Sequence, residues 1–178
     1  MKTDNSYFKE KVQLRIDSLP DKKEIFVLDC FSGTGSIWNE VKKSTKKNIQ
    51  VLSIEKESGK NSVALVGSNL KYLNILELSK FDIIDLDAYG IPYPQLNILF
   101  KRKYKGIVHV TAIQSGMGQL PKGMIKELGY TEQMIKKIHS IFNTKGVEKL
   151  KNYLYLHGIN NIEGYFINRK NYFYFKLN

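Results

Sequence analysis

A chain of 178 residues suits one domain around one core, and its 42% hydrophobic and 25% charged fractions are ordinary for a soluble globular protein. No apolar run approaches the ~20 residues that span a bilayer, and the polar start Met1-Lys2-Thr3-Asp4-Asn5-Ser6 lacks the apolar stretch of a signal peptide. The single cysteine, Cys30, excludes an internal disulfide and points to a reducing, cytoplasmic setting. With His109, His139 and His157 scattered, no zinc spacing exists, so no metal is expected. The net charge of +11 is unevenly placed: residues 1–100 carry 14 basic and 13 acidic side chains, residues 101–178 carry 14 and 4. A basic half beside a neutral half suggests a polyanionic partner, nucleic acid above all.

Residues 7–19 read as an opening helix, broken by Pro20-Asp21. Ile25-Phe26-Val27-Leu28 is a continuous apolar run, the pattern of a strand buried on both faces. Val51 to Ile54, Val63 to Val66, Phe81 to Leu86 and Gly106 to Ala112 are similar, and segments able to form helices separate them. Such alternation predicts a parallel sheet with crossover helices. The 55–63 connection is too short for a full crossover helix, so a turn or irregular chain is expected there. In the tail, 131–142 is predicted as one helix behind a Thr131 N-cap, with Met134, Ile135, Ile138, Ile141 and Phe142 on one face. A second helix covers 146–157 and stops at Gly158. Ile162 to Ile167 and Tyr172 to Leu177 flank a polar turn, Asn168-Arg169-Lys170-Asn171, and form a hairpin. Parallel strands followed by an antiparallel hairpin resemble the class I methyltransferase sheet. The resemblance implies a Rossmann-like α/β fold with seven strands. The organisation expected is an N-terminal helix over 1–22, a cofactor and catalytic core over 25–115, and basic C-terminal helices and hairpin over 116–178.

The sharpest local signal is Asp29-Cys30-Phe31-Ser32-Gly33-Thr34-Gly35 after the first strand. Glycine at 33 and 35 permits backbone angles and close approach that a side chain would block. The helix from Ser36 aims its first amides at an anionic group. A dinucleotide site needs a third glycine, and Trp38 stands there instead. Glu55, 20 residues after Gly35 and at the end of the next strand, is placed to accept hydrogen bonds from ribose hydroxyls. Gly67-Ser68-Asn69 follows the third strand, where methyltransferases hold adenine. The resemblance therefore implies S-adenosylmethionine as cofactor, with Asp29, Phe31, Ser32, Gly33, Thr34, Gly35, Glu55, Ser68 and Asn69 around it. Cys30 reads as buried packing.

Asp85-Leu86-Asp87-Ala88-Tyr89-Gly90-Ile91-Pro92 leaves the fourth strand. An exocyclic amine has its lone pair tied into the ring. A carboxylate and a carbonyl that accept its two hydrogens turn that pair toward a methyl group, and an aromatic side chain fixes the base. Asp87 reads as the amine acceptor, the Ala88 carbonyl as its helper and Tyr89 as the stacking platform. Two carboxylates at one strand end are costly unless hydrogen-bonded or functional. The Asp87-to-Pro92 segment resembles Asp-Pro-Phe-Gly-Ser-Pro of tRNA (guanine-N2) dimethyltransferases, over roughly residues 25–115. Ala88 departs from the family proline; the family's extra C-terminal domain is expected to be absent, with residues 131–178 doing a reduced version of its work.

Lys101, Arg102, Lys103 and Lys105 read either as phosphate contacts near the site or as the solvated end of a helix. Lys136, Lys137, Lys145, Lys149, Lys151, Arg169 and Lys170 continue the basic character, interleaved with Tyr153, Tyr155, Tyr165, Tyr172 and Tyr174. Some of these tyrosines are suited to stacking on unpaired bases, and at least half to the core. The expectation is an RNA N-methyltransferase acting on a guanine amino group. A DNA adenine or cytosine amino methyltransferase and a non-catalytic binding subunit of the same fold stand as alternatives.

Overall fold

The computed structural model describes residues 7–59, 65–114, 119–167 and 170–178. In chain order it runs α1 (Phe8–Asp17), β1 (Glu24–Asp29), α2 (Ser36–Ser44), β2 (Asn48–Glu55), β3 (Leu65–Val66), α3 (Asn69–Ile75), β4 (Ile83–Asp87), α4 (Tyr93–Lys101), β5 (Gly106–Ile113), α5 (Lys122–Glu127), α6 (Glu132–Lys137), α7 (Gly146–Leu156), β6 (Glu163–Ile167) and β7 (Lys170–Leu177). The seven strands lie in the order β3-β2-β1-β4-β5-β7-β6. β1 to β5 are parallel, and β7 inserts antiparallel between β5 and β6. Of the expected strand at 63–66 the described part is Leu65–Val66. Residues 60–64, which include the second part of the 55–63 connection, and turn residues 168 and 169 lie outside the described residues.

The strands are apolar on both sides because helices cover both faces. Ile25, Val27 and Ile83 meet Val12, Trp38 and Val41 of α1 and α2. Leu28, Ile84 and Leu86 face the opposite way, against Leu73, Leu96, Leu99, Met124, Leu150 and Tyr153. Strand alternation then dictates which way the polar residues point. Asp85 shares the face of Ile83, so it points at α1 and α2.

This face is polar toward the C-terminal ends of the strands, and it is built in two rows. Asp29, Asp85, His109 and Tyr174 stand side by side across β1, β4, β5 and β7. One step further, Asp87, Thr111 and Tyr172 form the second row. Helix α1 lies over both. Arg15 reaches the first row and makes a forked contact with Asp85, Nε to Oδ2 at 2.7 Å and Nη2 to Oδ1 at 2.8 Å. Both side chains are 2% exposed. Trp38 Nε1 donates to the same Asp85 Oδ2 at 2.7 Å. Burial is the largest influence and opposes the guanidinium charge, but Asp85, Asp87 and Asp29 together outweigh it and hold the Arg15 pKa above its ordinary value. Ser18 Oγ lies 2.7 Å from His109 Nε2. Burial first, and Arg15 second, push the His109 imidazole well below its usual range, so it stays neutral.

The tail departs from expectation at one point. The helix expected over 131–142 stops at Lys137, turns at Ile138 (φ −119°, ψ 82°) and resumes as a 3-10 turn over His139–Phe142. Lys149 Nζ takes the carbonyls of Ile141 (2.7 Å) and Thr144 (2.6 Å), and Leu120 N takes that of Phe142. Ile135 and Ile141 are buried while Met134 and Ile138 face outward, so one helical stripe does not form. The Thr131 cap is present, its hydroxyl accepting from Met134 N at 3.2 Å. Of the tail tyrosines, Tyr153 and Tyr172 are core residues and Tyr155 is exposed.

Removing one partner of a buried ion pair strands the other, at a cost of about 3–5 kcal/mol. Arg15→Met should therefore lower the unfolding free energy by that amount in urea titrations. Arg15→Met/Asp85→Asn, which keeps an acceptor for Trp38, should recover part of the loss. Equal losses in the single and double variants would show that the pair does not anchor α1.

Candidate functional site

The C-terminal ends of β1, β2 and β4 surround a cavity of about 770 Å³. Ligands of open α/β sheets bind at such carboxyl ends, where the chain passes to opposite sides. Asp29, Phe31, Ser32, Gly33, Thr34, Glu55, Ser68, Asn69, Asp87, Ala88 and Tyr89 all line it. The expected cofactor and catalytic residues, far apart in the chain, thus share one cavity. Gly35 is not in its lining and forms the N-cap of α2.

The glycine loop is shaped by its backbone. Gly33 (φ 51°) and Gly35 (φ 71°) are left-handed, a region that costs other residues roughly 1–2 kcal/mol. Gly33 N donates to Glu55 Oε2 at 2.9 Å, and Lys56 N donates to Glu55 Oε1 at 2.8 Å. Glu55 therefore ties the loop to the end of β2 while its carboxylate faces the cavity. The Ser32 hydroxyl is buried and has no hydrogen-bond partner among the described residues.

Asp29 is the electrostatic anomaly of the pocket. It is buried and lies in register beside Asp85. Among the described residues, its carboxylate accepts one hydrogen bond, from Phe31 N at 3.2 Å. Desolvation first, and the Asp85 charge second, raise its pKa well above the ordinary carboxylate value. Arg15 opposes the rise, but its fork is committed to Asp85. An acid held this way is suited to a cationic ligand group. Cys30 is also buried, and desolvation, then Asp29, push its thiol up, which rules against a thiolate nucleophile.

Ser68 and Asn69 reach the cavity differently. Asn69 is already engaged: its Nδ2 donates to the Cys30 carbonyl at 3.0 Å, and its Oδ1 accepts from Gln95 Nε2 at 3.0 Å. It ties β1 to α4. Ser68 caps α3 by position, with no hydrogen bond from its side chain to the helix.

On the far side, Tyr89 is 74% exposed at the rim and Ala88 is buried beneath it. Ala88 N donates to the Leu86 carbonyl at 2.8 Å, and Ile113 N donates to the Gly90 carbonyl at 3.0 Å. The first bond folds the segment back on the end of β4 and the second holds it against β5. Asp87 is paired with Lys11 of α1, Nζ to Oδ1 at 2.8 Å and to Oδ2 at 3.0 Å. Lys11 and Arg15 were not among the expected site residues. A signal for them was present: they are spaced i, i+4 on a helix, and Asp85 and Asp87 are spaced i, i+2 on a strand, so each pair shares a face.

The cluster at 101–105 is elsewhere. It joins α4 to the start of β5, at the N-terminal ends of the strands, opposite the cavity. Arg102 donates to the Leu73 and Leu76 carbonyls, both at 2.7 Å, and so closes the end of α3. Tyr104 is buried with its hydroxyl on the Phe81 carbonyl. Lys101, Lys103 and Lys105 are exposed there, and none of the four basic residues lines the cavity. Of the two readings of this cluster, its position fits the solvated end of a helix: α4 runs antiparallel to the strands and carries its end away from the cavity. Among the described residues, no cluster of His, Cys, Asp or Glu could hold a metal ion, and no helix is long and apolar enough to cross a membrane.

No family model and no curated protein matches this sequence. Solved structures do. A candidate class I S-adenosylmethionine-dependent methyltransferase from Listeria monocytogenes superposes with a TM-score of 0.55 at 12% identity, over 98% of this chain and 60% of that one. The fold is that of the class I S-adenosylmethionine-dependent methyltransferases. A candidate methyltransferase of the same cofactor from Methanococcus maripaludis gives 0.53 at 14% identity, covering 97% and 88% of the two chains. Phosphoethanolamine N-methyltransferase 2 of Haemonchus contortus, solved with S-adenosylmethionine, gives 0.56 at 16% identity, over 87% of this chain and 37% of that one. The chain thus spans well under two thirds of the Listeria and Haemonchus proteins. At these identities the likeness establishes the fold.

Asp29 carries a stability cost with a definite sign. A carboxyl raised in the folded state keeps its proton where the unfolded chain, near the ordinary carboxylate value of 3.8, has lost it. Native stability therefore falls as pH climbs from that value through the raised one. Asp29→Asn should be more stable than wild type at pH 7, with the gap closing as pH drops below about 4. Urea midpoints across pH 3–8 check this, and a pH-independent gap would refute it.

Proposed function

We propose that this chain transfers the methyl group of S-adenosylmethionine to an exocyclic amino nitrogen of nucleic acid, with guanine in RNA as the favoured acceptor, in the cytoplasm. The observation that carries the reading is the convergence on one cavity of the glycine loop, Glu55 and the raised Asp29 with the Asp87–Tyr89 segment.

The residues present suit this cofactor. Asp29 would accept hydrogen bonds from its ammonium, which offsets the desolvation that raises the acid. The unpartnered Ser32 hydroxyl and the amides at the start of α2 would face its carboxylate. Glu55 would hold the ribose hydroxyls, and the Ser68–Asn69 turn would border the adenine. When bound, the cofactor supplies an electrophilic methyl carbon on a sulfonium.

Acceptor chemistry falls to the other wall. Asp87 and the Ala88 carbonyl would accept the two amino hydrogens and turn the nitrogen lone pair inward, while Tyr89, open at the rim, would stack on the base. The acceptor class rests on this segment's resemblance to guanine-N2 dimethyltransferases and on the basic second half of the chain. A base within a duplex would have to be flipped out to reach the cavity.

Labelled methyl transfer onto total tRNA, rRNA and DNA tests the reading. RNA should be labelled. Asp87→Ala should cut transfer by ~10²–10³-fold with S-adenosylhomocysteine binding unchanged. Asp29→Asn and Glu55→Ala should each weaken that binding by roughly tenfold. Label in DNA alone would move the acceptor to a DNA amine. Cofactor binding without any transfer would make this chain a binding subunit.

A further inference from the structure

The pairing of Asp87 with Lys11 has no place in the proposed transfer as stated. It is also not required to dock α1, because the buried Arg15–Asp85 fork already does that one helical turn away. Lys11 instead stands on the cavity wall, beside the carboxylate meant for the acceptor, with Asp87 16% and Lys11 8% exposed. The ring of Tyr172, 5.1 Å below its ammonium, helps to hold it there.

The bonding capacity of the pair is limited and specific. An ammonium has three donors, and two of them reach Asp87. Each carboxylate oxygen keeps a second lone pair. The pair therefore offers one N–H donor and further acceptor sites, 2.8–3.0 Å apart. An amino group on a carbon that also carries a ring nitrogen presents the complement. Its amino hydrogens donate and its ring nitrogen accepts, the two nitrogens about 2.3 Å apart from two ~1.33 Å C–N bonds at a trigonal carbon. That spacing allows two near-parallel hydrogen bonds.

We infer that Lys11 and Asp87 together read the amidine-like edge of a base: Asp87 accepts from the amino group and Lys11 donates to the adjacent ring nitrogen. Resting on the proposed amino-group transfer, this makes Lys11 a specificity-determining residue and restricts the acceptor class. The 2-amino group of guanine beside N3, the 6-amino group of adenine beside N1 and the 4-amino group of cytosine beside N3 all fit. An aliphatic amine or a hydroxyl leaves the Lys11 donor unmatched.

Three neutral fragments separate the contributions: 2-aminopyrimidine has both groups, aniline only the amine, pyrimidine only ring nitrogens. Each is titrated by NMR into the full chain, with and without S-adenosylhomocysteine. The amidine-bearing fragment should bind roughly tenfold more tightly than either of the others, the worth of one charge-assisted bond. Lys11→Met should bring 2-aminopyrimidine down to the aniline level, and Lys11→Arg should keep the preference. Equal affinities in the wild-type chain, absence of binding by all three, or a preference that survives Lys11→Met would each overturn the inference. Should Lys11→Met fail to fold, the wild-type ranking alone decides. The ranking is independent of turnover. Fragment preference without methyl transfer removes the proposed activity and leaves the reader, whereas methyl transfer without preference removes the reader alone.

Discussion

The forked bond between Arg15 and Asp85 is the constraint on which the polar end of the sheet depends. Parallel pairing sets Asp29 beside Asp85 in neighbouring strands, away from bulk water. Two adjacent buried carboxylates are not sustainable without compensation. Arg15 and the Trp38 indole supply it at Asp85. In doing so they bring α1 and α2 down onto the strand ends, and that closes one side of the cavity. Lys11 is placed over Asp87 as a consequence, because it sits one helical turn from Arg15.

The two polar rows divide the work. The inner row is structural at Asp85 and His109: Asp85 is held by Arg15 of α1 and Trp38 of α2, and His109 Nε2 meets Ser18 at the end of α1. Asp29, in the same row, is left with a strained protonation balance and opens onto the cavity. The outer row carries the groups proposed to meet an acceptor. A residue that costs stability in the ligand-free chain is a stronger functional pointer than one that merely lines a pocket. Asp29 meets that standard and Asn69, hydrogen-bonded through both side-chain polar atoms to Cys30 and Gln95, does not.

Much of this was legible from the chain alone, for identifiable reasons. Apolar runs of strand length announced β1, β2, β4 and β5. Gly33 and Gly35 announced the turn, because a left-handed backbone needs them. The α6 segment was misread as one long helix. Its apolar spacing is helical, but the packing of the tail buries Ile135 and Ile141 and leaves Met134 and Ile138 outside, which spacing alone does not encode. The place of the basic cluster at 101–105 is hidden from the sequence for a similar reason. Its charge is local information, but its distance from the cavity depends on the direction of α4.

The sequence by itself determined the strand pattern, the glycine turn and the chemical types available at each strand end, since periodicity and backbone sterics act over a few residues. Only the tertiary structure decided the partners. Whether Asp85 is catalytic or structural, whether Arg102 meets a phosphate or the end of α3, and that Lys11 shares Asp87 all depend on which faces meet. The reason is physical: charge and hydrogen-bond capacity are written in each residue, but their cost or use is set by burial and by neighbours from distant parts of the chain.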